Sequence, residues 1–182
     1  MNNSPETIQL HGRRFRCHIS SKEIAETVQR LAGSIDAHYC GKLPLICPVL
    51  TGSFIFAADL SRAIHTDHEM AFVQYTSYEG MQSSGTVNKR LPFDKRCEGR
   101  HVIIVEDIVE SGICMSHMLA DLQEMHPASI AICTLFFKPN RFQGKFPIDY
   151  IGFSIPDDFI VGYGLDYDGA GRQYPDLYIL DE

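Results

Sequence analysis

Val102-Ile103-Ile104-Val105 is an unbroken aliphatic run with no polar alternation. A strand with one wet face alternates apolar and polar residues, so this run belongs inside a parallel sheet with both faces covered. That requirement points to an α/β fold. The run continues through Glu106-Asp107-Ile108-Val109-Glu110-Ser111-Gly112 into a helical pattern ending near Met125. Open α/β sheets bind ligands at the carboxyl edge of their strands. A Ser-Gly turn entering a helix offers unpaired amides and a positive dipole end to an anion such as phosphate. One short stretch thus sets carboxylate oxygens for a sugar or a cation beside a phosphate cradle.

Other segments repeat the theme. Ser20-Ser21-Lys22-Glu23 is a capping-box pattern, and Ile24, Val28, Leu31 and Ile35 then recur at helical spacing, giving a scaffold helix from Lys22 to about Tyr39. Leu45 to Leu50 reads as a buried strand in which Pro48 suggests an edge position or a bulge. Thr51-Gly52-Ser53 follows it and leads into a helix through Phe56, Leu60 and Ile64, a second turn suited to phosphate. Met70 to Tyr75, Ile130 to Phe137, Tyr150 to Phe153 and Leu177 to Leu180 supply further strands. Lys138-Pro139 sits at the carboxyl end of the Ile130 strand, which aims a lysine at the ligand edge. Thr76 to Thr86 has no period and is rich in Ser and Gly, so it reads as a lid loop over about 76–90.

Size and charge exclude several classes. At 182 residues and 45% hydrophobic content, the chain is one globular domain, 1–182, with a full core. The net charge of −7 and the absence of a Lys/Arg block argue against nucleic acid as the partner. No segment has the length or the flanks of a signal or membrane anchor, so a cytoplasmic protein is expected. The six scattered cysteines are expected as reduced thiols. His65-Thr66-Asp67-His68 reads as a helix end and surface loop, since a zinc site would need a third ligand nearby.

Five blocks in one order then carry a resemblance: Leu50-Thr51-Gly52-Ser53, Ser77-Tyr78, Val105 to Gly112, Phe137-Lys138-Pro139, and Phe159 to Arg172 with Val161-Gly162-Tyr163-Gly164-Leu165-Asp166-Tyr167 at its centre. Over roughly residues 8–180 the chain resembles the type I phosphoribosyltransferases, specifically their purine-salvage branch acting on hypoxanthine or guanine. The resemblance implies a largely parallel sheet flanked by helices, with a small hood formed by about 1–18 and 150–182. It implies that Glu106, Asp107, Ile108, Val109, Glu110, Ser111, Gly112, Ile113 and Cys114 bind phosphoribosyl pyrophosphate (PRPP). Within that run, Glu106 and Asp107 would serve the ribose hydroxyls, directly or through Mg²⁺. Glu110 to Cys114 would hold the 5′-phosphate, and Glu110 would be the acid near purine N7. Leu50, Thr51 and Gly52, with a cis bond before Thr51, would join Arg172 in holding pyrophosphate. Lys138 would donate to purine O6, Phe159 would stack on the base, and Ile160 and Asp166 would complete the purine site. Asp166 would also hold a second Mg²⁺, while Ser77 and Tyr78 would close over the site. A homodimer or homotetramer is the expected assembly.

The chain departs from that family in three places. Glu110-Ser111 stands where Asp-Thr or Asp-Glu is common, Cys114 where a threonine often contacts phosphate, and Thr51 and Ile113 where a basic residue is common. Two other readings remain open: a regulatory protein of the same fold that binds PRPP or nucleotides, and an enzyme preferring xanthine or another nucleobase.

Overall fold

Neighbouring residues of each apolar strand face opposite ways, and helices close over both sides of the sheet they form. A computed structural model of the chain describes residues 5–77 and 87–181, Ser77 by its main chain alone. In order, the elements are β1 (Thr7–Leu10), β2 (Arg13–Ile19), α1 (Ser21–Tyr39), β3 (Leu45–Pro48), α2 (Phe54–Ala63) and β4 (Glu69–Met70). There follow β5 (Gln74–Ser77), β6 (Val87–Leu91), β7 (His101–Val109), α3 (Ile113–Gln123), β8 (Ser129–Phe137), β9 (Tyr150–Ser154), β10 (Ile160–Val161) and β11 (Leu177–Leu180).

The central sheet has the order β4-β3-β7-β8-β9, and every pairing in it is parallel. On one face Ile46, Ile103, Val105, Ala131 and Cys133 pack with α1 and α2 through Ile24, Leu31, Ile35, Phe56 and Leu60. On the other, Leu45, Cys47, Val102, Ile104 and Ile132 meet Met115, Met118 and Leu122 of α3, with Tyr75 and Phe93 beside them. Ile103 and Ile104 are thus fully buried in different layers. Truncating either to Ala costs about 2–5 kcal/mol. The capping box forms as read: Ser20 N donates to Glu23 Oε2 at 2.9 Å, and Glu23 N to Ser20 Oγ at 3.3 Å. An antiparallel sheet of order β1-β2-β11-β10 makes the hood, around Ile8, Leu10, Phe15, Val161 and Tyr178.

Several sequence expectations need correction. Residues 150–154 were expected in the hood, but β9 pairs with β8 in the central sheet, where Tyr150 and Phe153 pack into the core shared with α1 and α2. Pro48 is at neither an edge nor a bulge. It closes the interior strand β3 opposite Val105, at the strand's last position, where a missing N–H removes little. The single strand expected over 70–75 is divided. β4 pairs with β3, Val73 bridges Val49, and Gln74–Ser77 swings away to pair antiparallel with β6. That ribbon takes up both ends of the expected lid, 76–77 and 87–90, while Tyr78 and the rest of the loop lie outside the described residues. His65 and His68 do lie beyond the end of α2, bonded to Asp36 and Ser61 respectively. Among the described residues no helix is long and apolar enough to cross a membrane.

Candidate active site

β7 outruns its neighbour on one side. β3 stops at Pro48 opposite Val105, while β8 continues to pair as far as Val109 opposite Phe137. Glu106 to Val109 therefore overhang β3 at the carboxyl edge of the sheet, which is where the two carboxylates emerge. The sequence reading ended this strand at Val105; the longer pairing with β8 carries it four residues further.

Asp107 is buried, and Glu106 is half-buried. Burial, then the neighbouring Asp107 carboxylate, pushes Glu106 well above the ordinary glutamate range. Burial also raises Asp107, against its contact with Glu106, the Ile108 amide at 2.8 Å and the charge of Arg172. Of the two carboxyls, Glu106 is raised the more.

The turn after β3 closes directly on this pair. A Cβ at Gly52 would fall on the Asp107 carboxylate, so only glycine leaves room for it. The Leu50-Thr51 peptide is cis, as the resemblance implied. Gly164 packs against the Gly52 carbonyl, bringing the 162–172 loop onto the same spot. Within that loop Arg172 Nη1 donates to Gly164 O at 2.7 Å, and its Nη2 pairs with Asp166 Oδ1 at 2.6 Å. Asp166 also accepts from Gly169 N at 2.8 Å. Asp107, Gly52, Gly164, Arg172 and Asp166 thus form one connected group.

A second group forms where β7 and β8 end. Lys138 is almost wholly buried (3% exposed), and its Nζ pairs with Glu110 Oε1. Glu110 Oε2 faces Arg141 Nη1 at 3.6 Å, and Arg141 Nε faces Asp157 Oδ1 at 3.7 Å. Lys138 N donates to Val109 O at 3.0 Å, and Gln143 N to Ser111 O at 3.0 Å, which ties the two strand ends together. Gly112 then opens α3 at φ +79°, a left-handed conformation that favours glycine, with Phe142 and Phe146 packed beneath it. Ile113 N reaches Ser111 Oγ at 3.4 Å. Cys114 lies partly buried in the first turn; burial and then Glu106 push its thiol up to about 12, so it is protonated at neutral pH.

The remaining expected residues sit on the hood side. Ile155 N donates to Phe137 O at 2.8 Å, so the segment carrying Phe159 leaves from beside Lys138. Phe159 is 46% exposed, with its ring 5.4 Å from Tyr167 and 6.3 Å from Phe15. Ile160 is buried opposite Ile179. Thr51 and Ile113 are exposed and Leu50 half-buried. Ser77 closes the β5–β6 pairing opposite Val87, and Tyr78 lies outside the described residues. Sequence reasoning passed over Arg141 and Asp157. The one available signal was an arginine three residues beyond Lys138, too common a spacing to single out.

Acids on a strand end, a glycine turn opening a helix and a second glycine turn against it form an edge suited to a sugar phosphate. The chain belongs to the phosphoribosyl transferase domain family, whose pattern matches residues 20–168. It is similar to the hypoxanthine-guanine phosphoribosyltransferase of Aquifex aeolicus, 34% identical over 176 residues that cover 96% of this chain and 99% of that one. It is 42% identical over 161 residues to the hypoxanthine phosphoribosyltransferase of Buchnera aphidicola from Schizaphis graminum, covering 86% and 90%. A crystal structure of a Bacillus anthracis hypoxanthine-guanine phosphoribosyltransferase superposes with a TM-score of 0.86 at 35% identity, covering 91% and 98%.

Proposed function

We propose that this protein transfers the 5-phosphoribosyl group of PRPP to N9 of hypoxanthine, and of guanine, in purine salvage, giving IMP or GMP and pyrophosphate. The observation that carries the reading is the Glu110–Lys138 pair at the carboxyl edge. A 6-oxopurine presents N7 and O6 side by side on one edge. An acid and an ammonium held next to each other suit that edge, the acid for N7 and the ammonium for the O6 carbonyl. Adenine would set an amino group against the ammonium and be refused.

The other residues take the roles their placement supports. The Ser111-Gly112 turn and the first amides of α3 receive the 5′-phosphate. Glu106 and Asp107 accept the ribose hydroxyls, and the Gly52 turn with Arg172 receives pyrophosphate. Phe159 offers a half-exposed ring to the base. The C1′–O bond to pyrophosphate breaks with its electron pair on the departing oxygen, the purine N9 bonds to C1′, and Glu110 takes the proton released from the ring at N7.

Mg²⁺ fits this donor set. Glu106, Asp107 and Asp166 are hard oxygen donors near this edge. That is the arrangement Mg²⁺ favours, one or two carboxylates completed by substrate phosphates and water. Glu106, Asp107 and Asp166 would hold it, and it would supply charge neutralisation for the leaving pyrophosphate. A cytoplasmic homodimer or homotetramer belongs to the same reading.

The test is initial rates with PRPP and hypoxanthine, guanine, xanthine or adenine, with and without a divalent-metal chelator. Hypoxanthine should be converted to IMP, adenine should not react, and chelation should abolish turnover. PRPP binding without turnover of any oxopurine would overturn the reading in favour of a regulatory protein. A rate highest with xanthine would reassign the substrate.

A further inference from the structure

Glu110 is held by two cations of unlike character. Lys138 is buried, and an ammonium removed from water needs a charged partner, which Glu110 Oε1 supplies. Arg141 is half-exposed, stands 3.6 Å from the other oxygen, and is braced on its far side by Asp157 at 3.7 Å. Its backbone is fixed as well, since Arg141 N donates to Lys138 O at 3.2 Å. The two cations thus sit on one short turn with a single carboxylate between them.

A purine seated with O6 on Lys138 and N7 on Glu110 competes with the Glu110–Lys138 contact for both groups. We propose that Arg141 is a positioning residue that keeps hold of Glu110 at that moment, so that the carboxylate stays aimed at N7 when the lysine turns to the base. This rests on the function proposed above. A planar guanidinium braced from both sides restricts where a flexible glutamate can point, whereas a lone glutamate released by its lysine would sample several rotamers. Arg141 needs no contact with substrate for this, so its effect should fall on turnover and depend on the Glu110 carboxylate.

A double-mutant cycle tests it, using steady-state rates with hypoxanthine for the wild type, Arg141→Met, Glu110→Gln and the double variant. Arg141→Met should lower kcat about three- to fivefold, the scale of a half-exposed ion pair. The KM values for PRPP and hypoxanthine should change less than about twofold, and Arg141→Lys should recover most of the rate. In the Glu110→Gln background the same substitution should change kcat by less than about 1.5-fold. Asp157→Asn should give a smaller loss of the same kind, and it serves in the cycle should Arg141→Met fail to fold. Equal losses in both backgrounds, a loss confined to KM, or no loss would overturn the inference and leave the proposed function standing. A wild type without turnover on any oxopurine would overturn both.

Discussion

Val109 and Phe137 stand opposite each other, so Glu110 and Lys138 leave from adjacent strand ends, and the longer side chain of a glutamate meets the lysine across them. With the departure from aspartate at this position, the carboxylate thus reaches Lys138. Replacing Glu110 with Gln keeps the size and removes the carboxylate that the proposed function uses as its base. Turnover should fall about 10²–10³-fold, in line with loss of a general base. PRPP affinity, measured by calorimetry, should change less than about threefold because the phosphate contacts are main-chain amides. Equal losses in rate and affinity would make Glu110 a ligand anchor instead. Lys138→Ala should raise the purine KM about 10–100-fold, the worth of a hydrogen bond to a charged donor; an unchanged KM would remove Lys138 from the base site. The position of Glu106, Asp107 and Lys138 at the carboxyl edge was legible in the sequence because each follows an unmistakable apolar run. Arg141 and Asp157 were not, because their contact depends on how the 138–141 turn lies against the segment after β9, and no local pattern encodes that.

At the scale of elements, strands buried on both faces announced themselves and half-buried ones did not. β1 and β2 escaped notice although Ile8 and Leu10, then Phe15 and Ile19, alternate with exposed residues in the period-two manner. Their short length and the surrounding arginines masked it. The division of 70–77 was hidden for a different reason: the run is apolar throughout, but partners exist on β3 only as far as Val73. The junction between the Gly52 turn and β7 is tight enough to test. Gly52→Ala forces its methyl against the Asp107 carboxylate, and displacing that group should lower kcat/KM for PRPP about 100-fold, the usual penalty for a misplaced binding group. An alanine variant with normal kinetics would show that Asp107 can move without consequence. Ser20→Ala, by contrast, removes a helix cap on the scaffold side. It should destabilise the fold by about 1 kcal/mol and lower the Tm by about 2–4 °C with rates unchanged.

For the whole molecule, the sheet and hood serve to hold two turns and one loop at a common edge, and a carboxylate between α1 and the end of α2 contributes to the pH dependence of stability. Asp36 on α1 accepts from Thr66 N at 2.8 Å and from His65 N at 3.0 Å, joining α1 to the chain just after α2. Burial opposes its ionisation, but the amides of Thr66 and His65, together with their side chains, outweigh burial and hold the carboxyl at about 2, against an ordinary 3.8. A carboxyl whose folded value lies below its unfolded value contributes stability above the unfolded pKa. That contribution is lost as pH falls through the interval toward the folded one. The difference corresponds to about 2 kcal/mol of stability, full above about pH 5 and gone by about pH 2. Asp36→Asn keeps an acceptor and removes the charge. Urea unfolding of both proteins across pH 6 to 2 should therefore find the wild type about 2 kcal/mol more stable at pH 6, with the gap closing as the pH drops. A constant gap would mean that Asp36 acts through shape alone. Because this carboxylate lies outside the edge that binds substrate in the proposed function, the variant should keep wild-type rates at neutral pH, separating the stability of the scaffold from the chemistry it holds.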